Sequence, residues 1–375
     1  MKESRRFSLV VSKIPNRVKN NISGNPEKGG NYMKKITSVL LVLVLACSLL
    51  AGCSSVGGQP DNSGIDTMMG NGNETAHYPI EVDSLDKSFV YTSAPEKVVV
   101  LDYISAQILV ALGLGDRITS LAPSMNTIDE VKDEYRAEVS AIKMFPAEAM
   151  KNGVPGLESV LAEEPDLVVG TAYAFNSNNV GDIQDFIGNG INIYASEGTY
   201  VEKPTLENVY NDIENLGKIF GVSDRAETLI SSLRSREKKI TDMMKATDEI
   251  AVFNFDSNMN DGTFYTVGGA NLLDALFAMA NVRNIFGDLE TNYARISLEE
   301  IISRNPEYVI VTKYYTETDA EEKINYFETT PELADITAVR KDNYIIISGI
   351  SLRPGLQTLD ALEDIVKAIH PEGLR

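Results

Sequence analysis

Aromatic and basic side chains recur directly after the segments that the sequence predicts as buried strands. A guanidinium group grips carboxylate or catecholate oxygens with two parallel hydrogen bonds, and tyrosine adds flat, amphipathic contact area. Ligands of open α/β sheets bind beyond the carboxyl ends of the strands. The candidate ligand-binding residues chosen on this ground are Tyr103, Met125, Lys143, Tyr173, Phe175, Tyr265, Arg295, Lys313, Tyr314 and Arg353.

The residue patterns of covalent and metal-centred chemistry are missing. The sequence has no Ser/His/Asp order, no Cys nucleophile, no P-loop and no Gly-x-Gly-x-x-Gly after the first strand, so we expect no enzyme and no resident cofactor. Its two histidines, His77 and His370, lie far apart, which argues against a site for bare zinc or manganese. Haem stays open because a tyrosine or methionine can serve as an axial ligand. Cobalamin stays open too, although without tryptophan its aromatic platform would consist of Tyr and Phe.

A helix, a proline and a buried strand occur twice in the same order. An amphipathic segment at 157–161 precedes the proline-led apolar run 165–169, and the segment 298–302 precedes the run 306–310, an offset of 141 residues. A helix that stops at a proline and leads into an unbroken apolar strand is the αβ unit of a parallel sheet, because such a strand is covered on both faces. Two such units indicate two similar lobes.

The segments around the repeat predict an α/β protein of two Rossmann-like lobes with a ligand cleft between them. Residues 89–203 form the first lobe, 204–247 the connecting helices and 248–375 the second lobe. No strand signal interrupts the connector, and at about 1.5 Å per residue its second helix is long enough to join the lobes as a rigid backbone helix. We therefore expect a small closing motion on ligand binding and not a wide hinge.

The N-terminal region has the features of a lipoprotein precursor. Residues 33–52 combine a basic start, an apolar core and small residues before Cys53, the order that resembles a bacterial lipobox. We expect 33–52 to be a signal peptide, Cys53 to carry lipid, and 53–88 to be a flexible tether. Residues 1–32 fit no signal peptide and are expected to be a disordered or non-native extension, with Met33 as the true start.

Charge and cysteine content limit the class of partner. The net charge is −20, and residues 1–52 contribute nine Lys/Arg against two Asp/Glu, which leaves −27 for the rest of the chain. Such an acidic body repels nucleic acid and anionic headgroups, so we expect neither as a direct partner and membrane attachment only through the lipid. Both cysteines, Cys47 and Cys53, lie near the N-terminus, so no disulfide braces the body.

Short segments of a recognisable kind follow one another from about Lys97 onward. They are VVLD at 99–102, LGL at 112–114, PDLV at 165–168, LGKIFG at 216–221, RPG at 353–355 and LDAL at 359–362. In this order they resemble the substrate-binding lipoproteins of ABC importers, in the Fe/B12-type group whose two lobes are joined by a long helix.

The resemblance implies an extracytoplasmic, lipid-anchored monomer that delivers its ligand to an ABC permease driven by a separate ATPase. The implied ligand is a ferric siderophore, with cobalamin or haem as alternatives in the same importer class. A surface-anchored sensor or adhesin is the alternative from a different class.

The resemblance also implies two permease-docking residues, Glu158 and Glu299. In the family, a rim glutamate of each lobe binds arginines of the permease. Both residues stand in the first turn of a predicted helix, where the helix dipole favours a carboxylate. Ser297 and Glu300 are predicted to form a capping box, which leaves Glu299 available for another partner.

Overall fold

The computed structural model describes residues 78–124, 126–151, 153–244, 248–314 and 317–371. All of them belong to the unit of the chain that starts at Asn73. The expectations for the signal peptide, for Cys53, for Met33, for tether residues 53–77 and for Met125 lie outside the described residues.

The first lobe alternates short strands and helices, as its sequence pattern predicts. Its strands are β1 (Ile80–Ser84), β2 (Lys87–Tyr91), β3 (Val98–Val100), β4 (Ile118–Leu121), β5 (Met150–Lys151), β6 (Val154–Pro155), β7 (Leu167–Gly170) and β8 (Asn192–Ala195). Its helices are α1 (Tyr103–Ala111), α2 (Asp133–Ala141), α3 (Leu157–Leu161) and α4 (Ile183–Gly188). Every residue of β3 and β7 is buried, because helices cover both faces of this parallel sheet.

The second lobe follows two connecting helices, α5 (Leu206–Phe220) and α6 (Ser223–Met244). Its strands are β9 (Ile250–Phe255), β10 (Ser257–Asn258), β11 (Thr263–Val267), β12 (Val282–Asn284), β13 (Tyr293–Ser297), β14 (Tyr308–Lys313) and β15 (Tyr344–Ser348). Its helices are α7 (Leu272–Met279), α8 (Leu298–Arg304), α9 (Glu317–Thr329), α10 (Thr337–Lys341) and α11 (Thr358–Ile369).

The two lobes share one sheet topology. The main sheet of the first lobe has the order β4-β3-β7-β8 and that of the second has β12-β9-β14-β15, and all pairings in both are parallel. In each sheet, the strand that comes first along the chain (β3 or β9) lies second from the edge, and the strand that comes third along the chain (β7 or β14) lies next to it. The repeated helix-proline-strand units, α3–β7 and α8–β14, occupy this third position in both lobes, so the predicted two-lobe repeat is confirmed.

The lobes share a continuous apolar core. One cluster of buried residues runs from the first-lobe sheet through α5 and α6 to Leu276 and Phe277 of α7 and to Leu362 and Ile365 of α11. Helices α5 and α6 approach closely at Gly217, where an added Cβ would lie 2.5 Å from the Cβ of Ala226. A second cluster, built around the stacked rings of Phe253, Phe255 and Phe327, fills the second lobe.

The ordered body begins earlier than Phe89, the start expected from the sequence. Strands β1 and β2 pair as an antiparallel hairpin, and Tyr78 donates a hydrogen bond from its hydroxyl to the carbonyl of Ile219 at 2.8 Å. The turn between the strands contains Leu85 and Asp86 in the left-handed region, with φ of 51° and 58°. Because hairpin turns of this kind usually contain Asn or Gly, the sequence carries no ordinary turn signal here.

The second lobe also contains elements that the sequence pattern did not indicate. Strands β10, β11 and β13 form a separate three-stranded antiparallel sheet, and α9 covers the second lobe with a mostly polar surface. Helix α9 buries little besides Ala320, Lys323 and Phe327, so its apolar period is weak. The capping box of Ser297 and Glu300 at the start of α8 is confirmed, with the Ser297 amide donating to the Glu300 carboxylate at 2.8 Å.

Candidate functional site

A cavity of about 380 Å³ opens between the two lobes. Its walls come from three parts of the chain: the first lobe, the second lobe, and the segment after β15 that returns toward the first lobe. The lining residues are Thr171, Tyr173, Gly198, Thr199, Pro204, Asn271, Leu272, Asn292, Tyr293, Leu352, Arg353 and Pro354. The position agrees with the rule that ligands of parallel sheets bind beyond the carboxyl ends of the strands.

The first-lobe wall consists of the loops that follow β7 and β8. Two side-chain amides, those of Asn176 and Asn179, donate to the carbonyl of Tyr173 at 2.6 Å each and hold this turn in place. The hydroxyl of Thr199 donates to the carbonyl of Ser196 at 2.6 Å and accepts from the amide of Ala172 at 2.9 Å, which ties the two loops together. The wall is therefore held by hydrogen bonds before any ligand binds.

The second-lobe wall is built around the N-terminus of α7. Asn271 caps this helix, since its side-chain oxygen accepts from the amide of Leu273 at 2.8 Å. The side-chain amide of Asn271 in turn donates to the side-chain oxygen of Asn292. A helix N-terminus carries partial positive charge, so this wall favours an electron-rich group of a ligand.

Arg353 lies in the segment that crosses between the lobes, and its guanidinium has no hydrogen-bond or ion-pair partner within the described ranges. Its backbone is fixed, because the hydroxyl of Thr358 donates to the Arg353 carbonyl at 2.9 Å. Behind it, Asp102 is fully buried at the start of α1, where its carboxylate accepts from the amide and hydroxyl of Ser105 at 2.7 and 3.1 Å. Burial raises the pKa of Asp102, while the Ser105 bonds and the charge of Arg353 act against that rise.

The charges of Arg353 and Asp256 shift the pKa values of two tyrosines beside the cavity, Tyr293 and Tyr314. The Tyr314 hydroxyl donates to the Asp256 carboxylate at 2.6 Å, and Tyr293 lines the cavity with 46% of its surface exposed. Burial and then the charge of Asp256 raise the pKa of both hydroxyl groups, whereas Arg353 lowers it. Both tyrosines are therefore neutral hydrogen-bonding groups at neutral pH.

Of the predicted ligand-binding residues, the structure places Tyr173 and Arg353 on the cavity wall. Tyr314 lies next to it, behind Asp256, and Gly349 packs so close that an added Cβ would lie 2.5 Å from the Tyr314 ring. Lys313 is half-buried at the end of β14 and is not one of the lining residues.

The other predicted ligand-binding residues that the structure describes are not on the cavity wall. Tyr103 and Phe175 are buried in the core, the latter edge-on to Phe186 at 5.5 Å between ring centres. Tyr265 and Arg295 face each other across β11 and β13, and the Arg295 guanidinium binds the carboxylate of Asp261. Lys143 forms an ion pair with Glu163 at 2.7 Å. Met125 lies outside the described residues.

The sequence pattern did not identify Asn271, Asn292 and Tyr293 as lining residues. Asn271 had a usable signal, because an asparagine that follows two glycines and precedes an apolar run is an N-cap, and a cap lies at the positive end of its helix. No sequence signal of this kind marks Asn292 or Tyr293. They reach the cavity because β13 pairs with β11 in a sheet that the sequence did not reveal.

Gly198 brings the two sides of the cavity into contact. An added Cβ at this position would lie 2.6 Å from Cγ of Pro354, on the crossing segment. We expect Gly198→Ala to lower the unfolding free energy by about 1–3 kcal/mol, as overpacked sites do. Gly188→Ala is the matched control, since nothing lies within 4 Å of its added methyl group. Urea unfolding of both variants measures the difference, and equal stability of the two would contradict a tight contact at Gly198.

Glu158 and Glu299 occupy equivalent positions on the two lobes. Each is exposed in the first turn of the helix that precedes the third strand of its main sheet, in α3 and α8 respectively. Neither carboxylate has a hydrogen-bond or ion-pair partner among the residues that the structure describes. Their placement leaves both carboxylates available on the surface.

The described residues contain neither a membrane-spanning helix nor a cluster of metal ligands. No helix among them has both the length and the apolar character needed to cross a bilayer. No group of three or more His, Cys, Asp or Glu side chains in these ranges is arranged to hold a metal ion. His370, the single described histidine, is buried at the end of α11 and is not one of the residues that line the cavity.

A ligand-sized cavity between two lobes of equal topology, joined by helices and a shared core, defines a two-lobed solute-binding protein. Comparison with known families agrees, because the model of the periplasmic binding protein family matches residues 98–349. The chain belongs to this family. The family predicted from the sequence, that of substrate-binding proteins of ABC importers, is thereby confirmed.

Individual relatives are distant but extend over much of the chain. An ABC transporter substrate-binding lipoprotein of Bacillus subtilis, YvrC, is 24% identical over 91% of this chain and 99% of its own. A vitamin B12-binding protein of Vibrio campbellii is 23% identical over 62% of this chain and 76% of its own. The petrobactin-binding protein YclQ of Bacillus subtilis is 23% identical over 90% of this chain and 98% of its own.

The fold is shared with solved structures. A periplasmic binding protein from Veillonella parvula superimposes with a TM-score of 0.70 at 25% identity, over 78% of this chain and 97% of the other. The prediction of an α/β fold with two Rossmann-like lobes is confirmed by this likeness and by the parallel sheets of both lobes.

Proposed function

We propose that this protein is the lipid-anchored, extracytoplasmic binding component of an ABC importer and that it captures a ferric siderophore in the cavity between its lobes. The observation that carries the proposal is the guanidinium of Arg353, which lies in a cavity lined by Tyr173 and Tyr293 and has no hydrogen-bond or ion-pair partner among the described residues. A guanidinium without a protein partner in a cleft is available to bind an oxygen ligand of a chelate. The relative that binds petrobactin supports this ligand class.

Function in this proposal is binding and delivery. The loaded protein presents its ligand to a membrane permease, and a separate ATPase drives transport. Exposed Glu158 and Glu299, one on each lobe, are the proposed contacts to permease arginines. The lipidated Cys53 and the tether that follows would hold the body near the outer face of the membrane.

A corrinoid or haem is the second candidate for the same cavity. Tyr173 and Tyr293 come from different lobes and are 41% and 46% exposed, so both present part of a ring to the cavity. Two such rings can pack against the face or edge of a flat macrocycle. The relative that binds vitamin B12 supports this alternative.

Native mass spectrometry of the purified protein against ferric siderophores, cobalamin and haem tests the proposal. We expect a one-to-one complex with a ferric chelate and no turnover of the ligand. Arg353→Gln is expected to weaken that complex about 10- to 100-fold, the value of one lost charge-assisted hydrogen bond.

Arg283→Gln is the matched control for the Arg353 variant, because Arg283 is exposed and pairs with Glu249 outside this cavity. It should leave affinity unchanged. Equal affinity of the Arg353 variant and the unaltered protein would remove Arg353 from the site, and failure to bind every compound of the panel would refute the proposed function.

A further inference from the structure

The cavity has little positive charge to offer a ligand. Arg353 is the one basic side chain among its described lining residues. Of the other basic residues that the sequence suggested for ligand binding, Lys143 pairs with Glu163 and Arg295 with Asp261, and Lys313 is not one of the lining residues.

Carboxyl groups near the cavity oppose the charge of Arg353. Asp256 acts on the hydroxyl groups of Tyr293 and Tyr314 with the opposite sign to Arg353. It is held in place by the Tyr314 hydroxyl at 2.6 Å and by the Ser257 hydroxyl at 3.0 Å. Asp256 and Arg353 thus act on these tyrosines with opposite signs, and the nearby ammonium of Lys323, 5.1 Å from the centre of the Tyr314 ring, is itself bound to Asp319 at 2.9 Å.

The remaining polar groups of the wall are neutral. They are the side-chain amides of Asn271 and Asn292, the hydroxyls of Thr171, Tyr173 and Tyr293, and the start of α7. Such groups form hydrogen bonds with neutral oxygens and nitrogens but compensate a full charge poorly in a partly desolvated site. Arg353 and the N-terminus of α7 are the positive groups among the described lining residues, so a ligand with several anionic groups would lack partners for most of them there.

We infer that the ligand of this cavity carries at most one anionic group and is otherwise neutral, as a ferric trishydroxamate is, and is not a polyanionic chelate. The inference rests on the proposed function and narrows its substrate class. Three singly charged hydroxamates cancel the charge of iron(III), whereas three doubly charged catecholates leave a net charge of minus three. The catecholate complex would bring into the cleft more negative charge than Arg353 balances.

Titration calorimetry of the purified protein with two ferric chelates tests the inference, one a linear trishydroxamate and the other a tripodal tris-catecholate. We expect the trishydroxamate to bind at least about 100-fold more tightly, because uncompensated charges in a cleft are strongly disfavoured. Asn292→Lys adds a cation to the wall and should reduce this preference about tenfold. Gln184→Lys, an equal change of charge on the exposed face of α4 outside the cavity, should leave the preference as it is.

The outcomes separate the inference from the function on which it rests. Preference for the tris-catecholate, tighter binding of haem with its two carboxylates, or equal effects of the two lysine variants would overturn the inference alone. Preference for cobalamin, a corrinoid with amide side chains and one phosphate, would support the inference with a different ligand. If no chelate, cobalamin or haem binds, the proposed function fails and the inference fails with it.

Discussion

Replacing Glu158 and Glu299 together by alanine is expected to abolish ligand uptake by intact cells while ligand affinity stays unchanged. Both carboxylates are exposed, lie outside the cavity and have no partner among the described residues. Their loss therefore leaves the fold and the cavity intact. If they bind permease arginines, as proposed, each replacement removes one charged contact between the two proteins, and uptake should fall at least about tenfold.

The measurement is uptake of labelled ligand by cells that produce the variant, together with its affinity in solution. Glu227→Ala with Glu321→Ala is the matched control pair, since both residues are exposed glutamates on helices α6 and α9. A Glu158→Gln, Glu299→Gln variant keeps the shape and removes the charge, so it should also fail in uptake. Normal uptake by either variant of the rim pair would refute the docking assignment.

Asp212→Asn is expected to stabilise the protein at alkaline pH by several kcal/mol. Asp212 is fully buried in α5, and its carboxyl accepts from the hydroxyl of Tyr194 and from the amide of Glu197, both at 2.8 Å. Its second oxygen has no partner in the described part of the chain. Burial raises the pKa of Asp212 to about 8, with the hydrogen bonds from Glu197 and Tyr194 acting against the rise.

The sign of the pH dependence follows from this raised pKa. Below the ordinary pKa of 3.8 the carboxyl is protonated in both the folded and the unfolded chain. Between that pH and about 8 the unfolded chain loses the proton first, so folding stability declines as pH rises. The decline amounts to roughly 6 kcal/mol over the whole window, and asparagine, which does not titrate, removes it.

Chemical denaturation between pH 5 and 9 measures this difference. Asp335→Asn neutralises an exposed aspartate and should follow the pH profile of the unaltered protein. Parallel profiles for the Asp212 variant and the unaltered protein would show that the buried carboxyl does not govern stability. Asp212 also holds the start of the turn that carries Gly198 and Thr199 to the cavity, through the hydrogen bond that it accepts from the Glu197 amide.

Most of the architecture could be predicted from local sequence patterns. The αβ repeat, the connecting helices and most strands appear where periodicity placed them, because a strand covered on both faces must be apolar along its whole length. The exceptions have local reasons. The β1–β2 hairpin turns at Leu85 and Asp86, which give no turn signal, and α9 has too weak an apolar stripe to stand out.

The residues that line the cavity could be predicted only in part from the sequence. Tyr103, Tyr173 and Phe175 all follow first-lobe strands, yet only Tyr173 lines the cavity, while the other two are buried in the core. The sequence around these three residues does not show which side chain lines the cavity and which is buried, because that depends on the packing of distant segments. Arg295 was likewise predicted in the cleft from the sequence. In the structure, the register of β11 and β13 places it beside Thr263 and near Asp261 instead.

By itself, the sequence determined the class of this protein: two α/β lobes, a helical connector, an acidic body and a glutamate at an equivalent helix start on each lobe. These features depend on residue periodicity, charge and caps within a few residues of one another. Only the tertiary structure decided that Arg353 lines the cavity without a partner among the described residues and that Asn271, Asn292 and Tyr293 line the same cavity as Tyr173. The physical reason is that a cleft is formed by segments distant in sequence, and their side chains meet only when both lobes and the crossing segment have packed.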